Sequence, residues 1–239
     1  MTNSVYTTIA RQTGLLAEMQ SVANNIANIS TTGFRREGLV FAEHINALEG
    51  SEGSLSIPVP NGVATFDSKG AYRQTGGDFD LAFRSGNTLI PRSPNGQQLT
   101  RAGSFVPSAD GTLVSQDGFP VLDAGGSPVF VPTDLGAIAI SPDGTISAGG
   151  DPVGQIGLFE PTDPLEMRRV DGVRFTSESG VTPVLDGRVM QGFVEGANVD
   201  PVAEVARMIE VQRAYELGQT FLEQEDKRIG SVISTIGGS

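Results

Sequence analysis

Few residues in this chain have the types and spacing that catalysis requires. His44 is the sole histidine among the 239 residues, so a serine–histidine–aspartate triad would have to use it. No G-x-S-x-G nucleophile motif accompanies it. Asp78 and Asp80 could act as the carboxylate pair of a glycosidase. Their alternation along a predicted strand instead favours a structural role, so the sequence predicts no catalytic residue.

The sequence also predicts no metal site and no cofactor. Without cysteine the chain can form neither a thiolate zinc site nor a disulfide. Its Asp–Gly turns do not match the D-x-D-x-D-G calcium loop, and neither glycine-rich nucleotide motif occurs. A net charge of −12 disfavours a nucleic-acid partner, so the basic pair Arg35–Arg36 is expected to be a solvated or interface charge. No apolar run is long enough for membrane insertion.

The distribution of proline indicates where long helices can form. All fourteen prolines lie between Pro58 and Pro201, which leaves both ends of the chain free of them. In the N-terminal part, apolar residues recur at steps of four and three, the narrow seam typical of a coiled coil. They are Leu15, Met19, Val22, Ile26 and Ile29. This pattern predicts a helix over 4–30, with Gly33 as its stop.

The C-terminal part repeats this design. Asp200 followed by Pro201, with Glu204 in the first turn, is a strong helix start. The four-three spacing then continues through Met208, Val211, Tyr215, Gly218, Leu222, Ile229, Val232 and Ile236. These features predict a helix over 201–236.

Between the two helices the sequence predicts β structure. Hairpin-type dipeptides such as Asn61–Gly62 and Asp143–Gly144 separate short apolar stretches, a spacing that predicts an antiparallel sandwich or an open barrel. The predicted strands include Phe119–Leu122, Val129–Val131 and Gln155–Phe159. The predicted fold class is therefore α+β, with long terminal helices paired as a coiled coil and a central all-β domain. The predicted domains are helical residues 1–36 with 195–239, an extended or flexible connection over 37–74, and a β-rich outer domain over 75–194.

The narrow seams need partners, because an isolated helix of this length is marginal in water. We expect the two terminal helices to pair with each other; the alternative is that both pack on their own β domain. Ile9, Leu16 and Ile209 lie off the main stripes and suit a second contact with other copies or other proteins. The predicted seam residues are Met19, Val22, Ile26, Val211, Tyr215, Leu222 and Ile229.

Several segments are similar to signatures of a known family. Residues 23–35, ANNIANISTTGFR, resemble the N-terminal signature of flagellar rod and hook proteins. Residues 195–200 and 208–216 resemble the C-terminal signature of the same family. Segments from the middle of the chain agree in order as well: 99–105, 110–114 and 117–122. Together these segments span nearly the whole chain.

The resemblance implies a structural subunit rather than an enzyme. Family members assemble with copies of themselves and with other flagellar rod proteins into a hollow helical shaft, which spans the periplasm and transmits torque. Their terminal helices form its inner layer, their β domain faces outward, and the flagellar type III export apparatus secretes them without a cleaved signal peptide. The resemblance also implies the following polar interface residues: Asn24, Asn25, Asn28, Gln212 and Arg213.

Within this family the chain is most similar to proximal rod subunits, partly through Val153–Phe159. A distal rod or short hook-type subunit is the alternative inside the family. From a different class, a β-rich surface hydrolase or carbohydrate-binding module would use Asp78 and Asp80. One departure from the family pattern lies at Ser85–Ile90, where the Gly-Asp-Gly-Phe-Phe run of the family is missing.

Overall fold

The computed structural model describes residues 2–47, 54–84, 88–89, 92–93, 96–132, 136–184 and 186–237. A helix lies at each end of the chain and β structure lies between them, which confirms the α+β class. The chain forms two compact units: Met1–Ala27 with Arg36–Phe66 and Val199–Ser239, and Asn28–Arg35 with Asp67–Asn198. The domain division made from the sequence stays a prediction, as do the coiled-coil geometry and the sandwich or barrel.

Helix α1 (Thr2–Ala27) ends three residues before the end of the predicted helix over 4–30. The chain leaves the helix because the Asn28 carbonyl oxygen accepts a hydrogen bond at 3.0 Å from the amide three residues later, which closes a turn. The turn ends at Gly33, whose φ of 72° favours glycine. A side chain at Gly33 would also collide with the backbone of Arg101. Gly33 is therefore required on both grounds.

Helix α2 (Pro201–Gly237) begins at the predicted residue and extends one residue beyond the predicted end. The Asp200 carboxylate accepts hydrogen bonds from the backbone amides of Val202 at 2.9 Å and Ala203 at 3.1 Å. It thereby satisfies two of the donors that a helix N-terminus leaves without partners. Since α2 has 37 residues and α1 has 26, α2 is longer by about 16 Å.

The first unit also contains a long β-hairpin. Strands β1 (Glu37–Ala47) and β2 (Ser54–Thr65) pair antiparallel over their whole length, with a register shift after Val40. The sequence predicted extended chain here but not its pairing, because register depends on contacts that lie far apart in the sequence.

Some residues singled out in the sequence are described only in part. His44 lies in β1 opposite Ile57, but its side chain is outside the described residues. The stretch Gly50–Gly53, part of the predicted extended or flexible connection over 37–74, lies outside them as well. Of the unusual segment Ser85–Ile90, the structure describes only the backbone of Thr88–Leu89.

The second unit is built from short strands. Their bounds in chain order are β3 (Tyr72–Gln74), β4 (Leu81–Phe83), β5 (Thr88–Leu89), β6 (Arg92–Ser93), β7 (Gly96–Gln97), β8 (Leu99–Thr100), β9 (Phe105–Pro107), β10 (Leu113–Ser115), β11 (Ile138–Ile140), β12 (Thr145–Ala148), β13 (Asp151–Gln155), β14 (Leu158–Pro161), β15 (Met167–Asp171), β16 (Arg174–Ser177), β17 (Val181–Pro183), β18 (Val189–Gln191) and β19 (Phe193–Glu195). Among the described residues, the largest sheet has the linear order β15-β16-β8-β5-β14-β17 and is therefore open. A short 3-10 helix, Pro164–Glu166, precedes β15.

A buried apolar cluster forms the core of this unit; it includes Leu81, Phe83, Leu113, Val121, Ile146 and Ile156. Two segments that were predicted as strands, Phe119–Leu122 and Val129–Val131, form isolated β-bridges instead. The backbone here does not continue as one ladder, because Leu113 donates to the Val129 carbonyl oxygen and accepts from the Val121 amide, both at 2.9 Å. The predicted strand over Gln155–Phe159 is interrupted as well, because the Gly157 amide donates to the Leu122 carbonyl oxygen at 2.9 Å.

Candidate functional site

The terminal helices contact each other within the first unit. Arg207 Nε donates to Glu18 Oε1 at 2.7 Å, and this bond raises the pKa of Arg207. Gln12 Nε2 donates to the Tyr215 carbonyl oxygen at 2.8 Å. Since residues later in α1 contact residues earlier in α2, the helices run antiparallel. Gly218 permits the close approach, because a side chain there would collide with the Gln12 amide.

The side chains of the predicted apolar seam are buried at one end of the helix pair and exposed at the other. Val22 and Val211 are buried, with 4% and 2% of their surface exposed. Four further seam residues are half-buried: Met19, Ile26, Tyr215 and Leu222. Ile229 is 46% exposed, because α2 continues past the level of the first residues of α1. Burial of the seam therefore falls toward the C-terminal end of α2.

Among the predicted polar interface residues, Asn25 is fully buried within the chain itself. Its side-chain oxygen accepts from the Glu37 amide and its nitrogen donates to the Glu37 carbonyl oxygen, both at 2.8 Å. The side-chain amide thus pairs with the first residue of β1 as a neighbouring strand would. Asn24 is exposed and donates to Glu37 Oε2 at 2.8 Å, while Asn28 closes the turn after α1.

Buried Glu204 connects this amide to the start of α2. Glu204 Oε2 accepts from Asn25 Nδ2 at 3.2 Å, and Glu204 Oε1 pairs with Arg36 Nε. The Arg36 guanidinium also lies 4.9 Å from the centre of the Phe66 ring. Because a buried carboxylate without partners is costly, this network fixes the hairpin against the helix pair. This network was not predicted from the sequence, since Glu204 was considered only as an acid of the first helical turn.

Apolar side chains remain exposed on the outer faces of both helices. The three positions predicted for a second contact are all exposed: Ile9, Leu16 and Ile209. Val202 and Val205 are exposed as well, and their spacing puts them on the same face of α2 as Ile209. The predicted polar residues Gln212 and Arg213 are also exposed on α2. The helix pair therefore presents a mixed surface of apolar and polar side chains.

The second unit contains a buried cluster of two arginines and one glutamate. Arg35, Arg101 and Glu195 are 2%, 2% and 1% exposed. Glu195 Oε2 accepts from Arg101 Nε at 3.0 Å and Nη2 at 2.6 Å, and Glu195 Oε1 accepts from the Gly70 amide at 3.0 Å. Arg35 Nη2 lies 3.1 Å from Glu195 Oε1. Burial lowers the pKa of the Arg35 guanidinium, and the neighbouring Arg101 charge lowers it further.

The prediction of a solvated or interface charge is wrong for Arg35. Arg35 Nη1 donates to the Ser68 carbonyl oxygen, and Arg169 Nη2 donates to the Arg35 carbonyl oxygen at 2.6 Å. The Arg169 guanidinium lies 4.7 Å from the centre of the Phe34 ring. These contacts hold the segment after α1 in the β-rich unit. No local pattern signals such a cluster, because its members are far apart in the sequence.

The two aspartates that were considered for catalysis belong to a turn. The Asp80 amide donates to the Gly77 carbonyl oxygen at 3.2 Å, and the Asp78 carbonyl oxygen accepts from Gln191 Nε2 at 2.9 Å. Asp78 therefore does not lie on the strand that was predicted there. In the part of the chain that the structure describes, no group of three or more His, Cys, Asp or Glu residues could hold a metal ion. No helix in this part is both long and apolar enough to cross a bilayer.

Three family models match successive parts of the chain. The model for the flagella basal body rod protein matches residues 9–35, and that for the flagellar hook protein FlgE/F/G D1 domain matches residues 89–148. The model for the flagellar basal body rod FlgEFG protein C-terminal region matches residues 190–235. Two polar networks were described above: Asn25, Arg36, Glu37 and Glu204 form the first, and Arg35, Arg101 and Glu195 form the second. All of these residues except Arg36 and Glu37 lie inside the regions that the family models match.

Several flagellar proteins are similar to nearly the whole chain. The flagellar basal-body rod protein FlgF of Caulobacter vibrioides is 36% identical, over 99% of this chain and 99% of its own length. FlgF of Rhizobium meliloti is 31% identical over 100% of both chains. The rod protein FlgG of Bacillus subtilis is 28% identical over 98% of this chain and 99% of its own. The chain therefore belongs to the FlgF family of flagellar basal-body rod proteins.

Proposed function

We propose that this chain is a structural subunit of the proximal part of the bacterial flagellar rod, the drive shaft that transmits torque. It assembles with copies of itself and with other rod proteins into a hollow helical tube. One observation carries this proposal: the helix pair buries part of its seam and leaves apolar side chains exposed on its outer faces. A helical assembly needs such surfaces, because each copy must make contacts that do not close on themselves.

The helix pair is proposed to supply the coiled-coil core of this tube. The four-three spacing of the seam and the antiparallel contacts between α1 and α2 support this role. Val22 and Val211 hold the pair together, while Gln212 and Arg213 face neighbouring subunits. The β-rich unit, over 75–194 in the predicted division, is the sandwich-like or barrel-like outer domain.

The proposed role requires no catalysis, metal or cofactor. The similarity of nearly the whole chain to flagellar rod proteins favours it over a surface hydrolase or a carbohydrate-binding module. The proposed location is the part of the basal body that spans the periplasm; the names of the relatives support a place in the basal-body rod. The chain reaches it through the flagellar type III export apparatus without a cleaved signal peptide.

A distal rod subunit is the second candidate. The match to FlgG of Bacillus subtilis over nearly the full length supports it. The proximal position is preferred because identity is higher to FlgF of Caulobacter vibrioides, 36% against 28%. A density map of an isolated basal body at side-chain resolution separates the two positions.

A charge on an exposed apolar position of α1 tests the assembly role. Leu16→Asp should leave the free chain folded, because Leu16 is exposed, but it should remove a contact with neighbouring subunits. Cells in which this variant replaces their own copy should not swim in soft agar and should lack complete rods in electron micrographs. Gln20→Asp is the matched control, because it adds the same charge at an exposed polar position of α1. Normal swimming of both strains would contradict the proposal.

A further inference from the structure

A polar pocket of about 390 Å³ lies within the β-rich unit. Its lining comes from four separate segments of the chain: 30–32, 100–104, 115–117 and 171–174. All four segments belong to the second unit. The volume lies within the range of small-molecule sites, about 300–1,000 Å³. The pocket therefore has room for a small polar ligand.

Hydrogen bonds between and within these segments hold the walls of the pocket in place. Thr100 Oγ1 donates to the Val173 carbonyl oxygen at 3.0 Å and accepts from the Ala102 amide at 3.1 Å. On another wall, Ser115 Oγ accepts from the Phe119 amide at 3.2 Å. Because the walls are formed in the free chain, a ligand would lose little of its binding free energy in ordering them.

Several polar side chains on the lining have unused hydrogen-bonding capacity. Within the described part of the chain, five of them form no hydrogen bond: Ser30, Thr32, Ser104, Gln116 and Asp117. The three hydroxyls and the amide can each donate and accept, whereas the carboxylate accepts only. The ligand that complements this set carries several groups that both donate and accept, as the hydroxyls of a sugar do.

The charged side chains of the pocket disfavour an anion. Arg174 Nε donates to Asp171 Oδ1 at 2.7 Å, so a carboxylate already neutralises this cation. Asp117 forms no ion pair within the described residues, and the lining therefore carries an excess negative charge that repels a phosphate or a carboxylate. A metal ion lacks a set of ligands, because no group of three His, Cys, Asp or Glu residues occurs in the described part of the chain. These charges leave a neutral ligand as the best fit.

Apolar groups form a small part of the lining. Beside the methyl groups of its threonines, the pocket has Ala102 and Val173 as its apolar side chains. These small groups cannot enclose the apolar side chain of a peptide, but they can contact the C–H groups of a sugar ring. A sugar needs this combination of polar groups that orient it and small apolar groups that contact its carbon atoms.

We propose that this pocket binds a neutral carbohydrate. Sugar hydroxyls donate to the Asp117 carboxylate and exchange hydrogen bonds with Ser104 and Gln116, while carbon atoms of the ring contact the apolar part of the lining. The inference goes beyond the proposed function, because a subunit that only transmits torque needs no ligand. The pocket includes neither Asp78 nor Asp80, so it differs from the carbohydrate site considered from the sequence.

Saturation-transfer difference NMR on the purified full-length chain tests this site. The probes are soluble neutral sugars that differ in linkage or in the substituent at the second ring carbon: cellotriose, maltotriose and N-acetylchitotriose. We expect saturation transfer to the ring protons of at least one probe, and a titration of that probe gives its Kd. Inorganic phosphate is the anionic comparison and should not displace the sugar. Displacement by phosphate, or the absence of transfer to all the sugars, would overturn the inference.

Variants of the lining locate the bound sugar. Asp117→Asn should raise the Kd roughly fivefold, because a neutral acceptor replaces a charged one. Asp151→Asn is the matched control, because it removes the same charge from an exposed residue of β13 that does not line the pocket; its Kd should not change. Gln116→Ala is a second test variant and should also raise the Kd, since it removes an exposed amide of the lining.

The unfolding temperature of each variant separates loss of binding from loss of structure. Both test variants should unfold at the temperature of the native chain, because neither side chain forms a hydrogen bond within the described residues. If Asp117→Asn does not fold, the comparison of Gln116→Ala with Asp151→Asn decides the inference. Native affinity in the folded test variants means that the sugar binds elsewhere, and this result is incompatible with the proposed site.

Discussion

Glu195→Gln should destabilise the β-rich unit strongly. It removes the negative charge of the buried cluster and nearly keeps the shape of the side chain. In the native chain the carboxylate lies 2.6 Å from Arg101 and 3.1 Å from Arg35, and both arginines are almost completely buried. After the change two cations remain buried without this carboxylate. Asp67, 4.0 Å from Arg35, is 77% exposed and compensates them poorly.

The size of the effect follows from the cost of an uncompensated buried charge. Removing one partner of a buried ion pair costs about 3–5 kcal/mol of the free energy of unfolding. Since the glutamine oxygen can still accept from the Gly70 amide, we expect the lower part of this range. A domain is stable by about 5–15 kcal/mol, so the change removes a large fraction. A loss of about 3 kcal/mol lowers the unfolding temperature of a domain of this size by roughly 10 °C.

Differential scanning calorimetry of the full chain measures this loss, because two units that unfold separately give separate transitions. Asp67→Asn is the matched control: it also removes a carboxylate beside Arg35, but an exposed one, so it should cost less than about 1 kcal/mol. The double variant Arg101→Met with Glu195→Gln should lose less than the sum of the single variants, since one unpaired cation is gone. If Glu195→Gln unfolds at the same temperature as Asp67→Asn, the reasoning is refuted.

Two predictions concern the helical unit, and denaturant unfolding followed by circular dichroism measures both. Asn25→Leu should lower the free energy of unfolding by about 2–3 kcal/mol, because backbone groups at the start of the hairpin lose their buried partner. The control Asn24→Leu changes an exposed residue and should lower it by less than about 1 kcal/mol. Equal losses for the two variants would contradict the role of Asn25. Gly218→Ala should stabilise the chain by less than the ~1 kcal/mol of its helix propensity, because the Gln12 amide must move away and lose its bond to the Tyr215 carbonyl oxygen; in a Gln12→Ala background it should stabilise by up to ~1 kcal/mol. An equal stabilisation in both backgrounds would show that Gln12 does not explain the glycine.

The features predicted correctly from the sequence are those that a few neighbouring residues encode. Asp200 and Pro201 define the start of α2 because capping and proline geometry are local. Val22 and Val211, two residues of the predicted seam, are buried in the helix pair, while the role of the seam in assembly stays a prediction. The end of α1 was placed too late, because Asn28 offers a turn that competes with the last helical bonds.

The features that were missed depend on contacts between distant residues. The pairing of β1 with β2 was not predicted, partly because β2 contains Pro58 and Pro60 and proline disfavours strands. The outer edge of a two-stranded hairpin needs no backbone hydrogen-bond donors. Because residues two apart in a strand have the same orientation, both prolines can be accommodated on the outer edge of the strand. Likewise, the sequence positions of Arg35 and Glu195 do not distinguish a solvated cation from a buried one. Only the fold brings the two side chains together.

The exposed aliphatic side chains near the C-terminal end of α2, Ile229, Val232 and Ile233, are too few to hold two free copies together, and this fits a subunit that assembles only on a growing rod. Full burial of an aliphatic side chain contributes about 1.5–3 kcal/mol, so three half-exposed ones contribute roughly 3 kcal/mol. Association of two free chains costs about 4–15 kcal/mol, and the net charge of −12 adds repulsion. A copy that joins the end of a rod makes several contacts, but it loses its translational and rotational freedom only once. The chain can therefore expose these apolar surfaces as a free subunit and still bind firmly once an existing end offers all of its partners.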